Sequence, residues 1–213
     1  MDEKNVTKTG TTTVGLICKD GIILAADKRA TMGHFIAGKK MDKIFQIDDS
    51  IGITIAGLVS DAQLLVKLIK AELRLKKVRT DRVIEVKEAV NLLAGMTYEN
   101  IRRMSMVPGI VGFLLGGKDK HGYHLYNIDV SGGITEEDEY TSDGSGSVFA
   151  YGVFETLYKK DMSMDEGIKL AVKAVNAALQ RDSASGSGID VITITDKGYQ
   201  KIMTKEIKTK IEM

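Results

Sequence analysis

The hydrophobic period switches repeatedly along this chain, and the order of the switches is the strongest limit on what it can fold into. Residues 13–18, "TVGLIC", alternate with Val14, Leu16 and Cys18 on one face; "KDG" follows as a turn and "IILAAD" reads as the return strand. "HFIAGKKMDKIFQID" and "SIGITIAGL" supply further short strands. From Ser60, read as an N-cap, the spacing of Leu64, Leu65, Leu68, Ile69 and Leu73 predicts a helix. A second helix is predicted over 84–106, with Val86, Ala89, Val90 and Leu93 on its stripe, stopping before the only proline, Pro108.

"GIVGFLLGG" and "HGYHLYNID" then pair as a hairpin, followed by a strand around 139–143 and a helix over 148–160. Ser163 and Glu166 form a capping box, in which hydroxyl and carboxylate satisfy orphan backbone donors reciprocally. The helix they open carries Ile168, Ala171, Val172, Val175 and Leu179. "IDVITITDKGYQKIM" closes as a hairpin, and Thr204 is read as the cap of a short terminal helix.

Strands, two helices, strands, two helices and strands describe an α+β chain, not alternating βαβ units. Antiparallel strands with one wet face would alternate as these do. Two facing sheets with a helix pair outside each would bury every apolar stripe. A single covered sheet is equally compatible with periodicity alone. The 213 residues contain no internal repeat and no linker-like boundary.

Composition removes several function classes. With a formal charge of +1, no global field favours nucleic acid or an anionic membrane. The single cysteine, Cys18, rules out an internal disulfide framework and suits a reducing compartment; among apolar neighbours it reads as an inert buried thiol. The leader "MDEKNVTKTG" lacks the apolar region of a secretory signal, and no run approaches the ~18 apolar residues of a spanning helix. A cytoplasmic protein is expected.

Most familiar chemistry is missing. A serine triad needs a histidine base and an exposed nucleophile, but only His34, His121 and His124 exist and no G-x-S-x-G elbow occurs. His121 and His124 flank a turn and read as surface residues, not a metal pair. The acidic run 136–139 reads as a solvated loop, and the Lys/Arg-rich stretch 74–82 as a polar helix end. "GSGS" at 144–147 lacks the G-K-[ST] of a phosphate loop.

Gly10-Thr11 remains. A hydroxyl needs a base within hydrogen-bond reach, and a terminal threonine carries its own. An α-amine has a reference pKa of about 7.7–8.0 against about 10.4 for lysine, and a nearby ammonium lowers it further. The amide nitrogen of an intact Gly10-Thr11 bond cannot serve, so such a chain would stay inactive until cut before Thr11.

"GTTTVGL", "AADKRAT", "DKIFQI", "ITIAGLVSDAQ", "GSGS" and "QRDSASG" occur in the order and spacing of proteasome β subunits, and the chain resembles the archaeal type most closely. The resemblance implies a four-layer αββα sandwich of two antiparallel sheets flanked by helix pairs. It implies that residues 1–10 are a propeptide removed between Gly10 and Thr11, leaving 11–213 as one N-terminal-nucleophile hydrolase domain.

By the same resemblance, Thr11 is the nucleophile, Lys43 the ammonium that tunes it, and Asp27 the carboxylate that holds Lys43. Gly57 supplies an oxyanion N–H, and Ser145, Asp182 and Ser185 support the threonine amine. Ala30, Met41, Ile55 and Val59 line an apolar pocket for the residue before the cut. Thr12 and Thr13 are left as residues that start the strand. The implied activity is that of a threonine endopeptidase degrading unfolded polypeptide inside a barrel chamber, with no metal or organic cofactor.

Implied partners are a homo-heptameric β ring stacked on a second β ring and two α rings, with an ATPase regulator docked on the α rings. A bacterial two-ring protease or an amidase would share the nucleophile, but the helical spacing and "RDSASG" count against the bacterial form. A non-catalytic ring subunit should lack threonine, aspartate or lysine; this chain has all three.

Overall fold

The computed structural model describes residues 10–207. Of the expected leader only Gly10 is therefore in view, and residues 1–9 lie outside the described residues. In chain order, six strands come first: β1 (Thr13–Cys18), β2 (Gly21–Asp27), β3 (Ala30–Met32), β4 (Phe35–Gly38), β5 (Ile44–Asp48) and β6 (Ile51–Gly57). Helices α1 (Val59–Thr80) and α2 (Val86–Arg102) follow, then β7 (Val111–Asp119), β8 (Gly122–Ile128), β9 (Ile134–Glu137) and β10 (Tyr140–Asp143). The chain ends with α3 (Ser147–Leu157), α4 (Met164–Arg181), β11 (Gly188–Thr195) and β12 (Gly198–Glu206).

Two antiparallel sheets result, ordered β10-β1-β2-β11-β12 and β5-β6-β7-β8-β9, with β3-β4 as a separate hairpin. On the first sheet Val14, Leu16, Ile23, Ala25 and Val191 pack against Phe154, Ala171 and Val175 of α3 and α4. On the second, Ile53, Ile55, Phe113 and Leu115 pack against Leu65, Ile69, Val90 and Leu93 of α1 and α2. Ile22, Leu24, Ile192 and Ile194 meet Leu125 between the sheets. A Cβ on Gly116 of β7 would come within 2.9 Å of Ile22 Cγ2, so the Ile22 side chain packs directly on the β7 backbone there. These are the four αββα layers, and the choice that periodicity left open is made by the facing sheets.

The one-wet-face expectation fails for β2, every residue of which is buried. Its odd and even side chains enter different cores, which is why "GIILAA" reads as nearly continuous apolar sequence.

Helix boundaries needed correction. α1 begins at Val59 with Leu58 as its N-cap and no side-chain cap, so Ser60 falls inside the first turn. Its buried stripe is Ala62, Leu65, Val66, Ile69 and Leu73, while Leu64 and Leu68 flank it at 45% and 43% exposure. α2 stops at Arg102, earlier than expected, because Arg103 turns extended; the Asn100 side-chain amide just before it donates to the Gly109 carbonyl, 2.8 Å away.

The acidic run is not a loop. Glu136 and Glu137 lie in edge strand β9, where Glu136 accepts from the Tyr126 hydroxyl at 2.8 Å. The capping box before α4 is present as expected: the Ser163 N–H donates to Glu166 Oε2 at 3.0 Å. Thr204 caps no helix; it sits within β12 opposite Asp190. Cys18 is buried, and desolvation, helped by Asp20 and Glu166, pushes its thiol up to about 12. Among the described residues no helix is long and apolar enough to cross a membrane.

The inter-sheet layer is closely packed, so it should be sensitive to truncation. Leu24→Ala, at a fully buried position, should cost about 2–5 kcal/mol. Urea unfolding should show this as a lower midpoint with an unchanged slope.

Candidate active site

Thr11 lies just ahead of β1, on the N-terminal continuation of the strand that pairs with β2, and is buried. The ladder that pairs Thr13 with Ala26 continues one step beyond β1: the Asp27 N–H donates to the Thr12 carbonyl at 3.1 Å. That register sets the Asp27 carboxylate beneath the threonines. Its Oδ1 accepts from the Thr12 N–H at 2.9 Å and from Lys43 Nζ at 2.7 Å. Its Oδ2 accepts from the N–H groups of Arg29 and Gly186, each at 2.9 Å.

Lys43 arrives from the segment before β5 and is 3% exposed. Its carbonyl accepts from the Ile55 N–H at 2.9 Å, which ties it to β6. Besides Asp27, its ammonium donates to Thr11 Oγ1 at 2.9 Å. The Thr11 hydroxyl in turn donates to the Gly10 carbonyl at 2.7 Å. Burial pulls the Lys43 pKa below the ordinary lysine value, although the Asp27 charge and hydrogen bond oppose it.

The far side of Thr11 is built by a turn and a helix end. Ser145 Oγ accepts from the Thr11 N–H at 3.3 Å and donates to Asp182 Oδ2 at 2.6 Å. Ser185 Oγ also donates to Asp182 Oδ2 at 2.6 Å. Asp182 is the C-cap of α4, held by its own N–H on the Ala178 carbonyl. "GSGS" is thus the turn that wraps the threonines: the Gly146 N–H donates to the Thr11 carbonyl at 3.2 Å. Gly144 has φ +96°, and a Cβ there would sit 2.2 Å from the Thr11 carbonyl oxygen.

Thr11, Asp27, Lys43, Ser145, Asp182 and Ser185 therefore converge in one hydrogen-bonded constellation. Gly57 closes β6 two residues beyond Ile55, at φ +120°, where a Cβ would strike the Ile110 carbonyl oxygen at 2.2 Å. Among the described hydrogen bonds none joins Gly57 to Thr11. Ala30 opens β3, Met41 precedes Lys43 by two residues, Ile55 is buried on β6, and Val59 begins α1. Met41 is fixed by its N–H on the Lys28 carbonyl at 3.0 Å.

Several participants escaped the sequence reading. Thr12 does more than start a strand, since its hydroxyl shares a 2.6 Å hydrogen bond with Ser185 Oγ. Thr31 Oγ1 accepts from the Gly10 N–H at 3.1 Å. The Arg29 guanidinium lies over Gly186 and donates to the Ser183 carbonyl at 2.8 Å. The "KRAT" run after Asp27 was the one local signal for Arg29 and Thr31. His121 and His124 are elsewhere: His124 lies 3.3 Å from both Asp119 and Glu136.

Chemically, the constellation presents a hydroxyl between an ammonium donor and a carbonyl acceptor. Charge developing on Thr11 Oγ1 would be met by Lys43, whose place and charge depend on Asp27.

The model of a family described as "Proteasome subunit" matches residues 7–194. Among similar proteins, the "Proteasome subunit beta" of Methanohalophilus mahii is 47% identical over 203 residues, covering 95% of each chain. That of Ferroglobus placidus is 46% identical over 203 residues, again 95% of each. That of Methanosarcina thermophila is 44% identical over 210 residues, covering 99% of this chain and 98% of its own.

The opposing influences on Lys43 have a sign that can be measured. Asp27→Asn removes the charge that favours the ammonium and leaves the burial that disfavours it. The Lys43 pKa should then fall further than in the unaltered protein, as read by NMR titration of the lysine side chain. An unchanged or higher value would refute the assignment of Asp27 as the group keeping Lys43 charged.

Proposed function

Because the chain belongs to the proteasome subunit family, we propose that it is a catalytic β-type subunit of the proteasome core, a threonine endopeptidase whose nucleophile is Thr11. The observation that carries this reading is the placement of Thr11 Oγ1, 2.7 Å from the Gly10 carbonyl oxygen and 2.9 Å from Lys43 Nζ.

In the intact chain the Thr11 nitrogen is an amide and cannot act as base, so the first reaction is with the chain's own Gly10 carbonyl. Thr11 Oγ adds to that carbonyl carbon, the Gly10–Thr11 C–N bond breaks, and the hydroxyl proton ends on the departing nitrogen. The product is an ester between Gly10 and Thr11 Oγ beside a free α-amine. Water then cleaves the ester, leaving a carboxylate on Gly10 and freeing residues 11–213 as the working domain. Glycine at position 10 suits this step, because a Cβ there would lie 1.7 Å from Ala184 Cβ.

The freed amine then takes the Thr11 hydroxyl proton as Oγ attacks a substrate carbonyl. The Gly57 N–H receives the oxyanion and Lys43 steadies the charge on Oγ. The amine passes its proton to the departing peptide nitrogen, and water releases the acyl group from Thr11. Ser145, Asp182 and Ser185 orient the amine. Ala30, Met41, Ile55 and Val59 are all apolar and favour an apolar residue before the cut.

Family membership supports assembly into a proteasome complex. The reading extends this to a homo-heptameric β ring stacked on a second β ring between two α rings, with an ATPase regulator feeding unfolded polypeptide to the chamber. The cytoplasm is its place of work.

Intact mass and peptide hydrolysis of the assembled particle test the reading together. The unaltered chain should begin at Thr11. Thr11→Ala should retain residues 1–10 and show only background hydrolysis, and Lys43→Ala should likewise be inactive. Normal trimming of Thr11→Ala would sink the proposed self-cleavage.

A further inference from the structure

Lys43 is delivered to the site by residues 39–43, a segment that belongs to no strand or helix. Among the described hydrogen bonds of that segment only Lys43, through its carbonyl on the Ile55 N–H, is tied to β6, yet its ammonium must reach both Asp27 and Thr11. The local sequence holds a second, crossed ion pair. Asp27-Lys28 and Asp42-Lys43 run past each other, so that Lys43 meets Asp27 at 2.7 Å while Lys28 meets Asp42 at 3.3 Å. Asp42 and Lys43 are consecutive, so the two pairs hold adjacent residues of the segment to adjacent residues at the end of β2. The Met41 N–H on the Lys28 carbonyl adds a backbone tie between them.

Lys28 is itself anchored. Its ammonium lies 2.6 Å from Asp190 Oδ2 of β11, and both side chains are buried. Asp190 Oδ1 has Lys201 of β12 3.4 Å away. Exchanging a buried ion pair for apolar residues of similar volume is often neutral or stabilising, so stability alone is a poor reason to bury Lys28. A fixed geometry is a better one.

We propose that Lys28 is a positioning residue for Lys43: fastened to the first sheet through Asp190, it holds Asp42 and with it the segment that aims Lys43 at Thr11. Burial works against the Lys28 ammonium, but its bonds and charge contacts with Asp190 and Asp42 outweigh this and hold its pKa above the ordinary lysine value. The clamp therefore stays charged at pH values where Lys43, whose pKa is lowered, begins to lose its proton.

This inference rests on the proposed roles of Thr11 and Lys43, and the test keeps the two apart. The Asp42 side chain is 65% exposed, so Asp42→Asn should leave folding intact while releasing the segment. In assembled, trimmed particles kcat should fall about three- to tenfold with KM little changed, because small misplacements of a catalytic group are costly. The alkaline limb of the pH–rate profile should move to lower pH as Lys43 loses part of its hold on Asp27. Asp42→Glu, which keeps the charge, should restore both. Lys28→Met should show the same changes more strongly, per folded particle. Wild-type kcat and pH limb in Asp42→Asn, or a lowered melting temperature as the sole effect of Lys28→Met, would overturn the positioning role. Full turnover by Lys43→Ala would instead remove the site reading beneath it.

Discussion

One buried carboxylate ties the parts of this molecule together. Asp27 ends β2, and its two oxygens accept four hydrogen bonds, from Thr12, Lys43, Arg29 and Gly186. Those donors belong to the continuation of β1, the segment before β5, the turn after β2, and the loop between α4 and β11. Removing one partner of a buried ion pair costs about 3–5 kcal/mol, because the other charge is left uncompensated. At Asp27 the same loss would also detach three backbone segments from one another. Local stability and the aim of Lys43 thus depend on the same two oxygen atoms.

The four-layer architecture explains why the site lies where it does. β2 is buried on both faces by the outer helices and the opposing sheet, so polar groups find room only where the layers end. There the chain before β1, the turn into α3 and the last turn of α4 meet. The small residues of that turn are a packing requirement: a Cβ on Gly146 would sit 1.9 Å from Thr12 Oγ1. Asp182 links the helix end to the threonines through Ser145 and Ser185, so the rigidity of α4 is passed on to the Thr11 nitrogen.

What was legible in the sequence was local. The β1–β2 hairpin, the Ser163–Glu166 cap and the element order all depend on residues within a few positions of one another. The charged candidates Asp27, Lys43 and Asp182 came from the family resemblance of "AADKR", "DKIFQI" and "QRDSASG", not from periodicity. The role of Thr12 was not legible, since its hydroxyl partner, Ser185, lies 173 residues away. Short edge pieces escaped for a different reason. β9 carries two glutamates and β3 only three residues, so neither shows a period long enough to count. The start of α1 was misplaced because a residue type suited to capping, Ser60, stood one position inside a helix that uses no side-chain cap.

The tight seat of Gly10 against Ala184 bears on how the protein can be handled. At position 10 the turn over 182–186 leaves space for a hydrogen and nothing larger. On the proposed reading, a fusion partner put in place of the natural leader would have to end in glycine for self-cleavage to proceed. The particle would then trim itself to the same first residue, and no added protease would be needed.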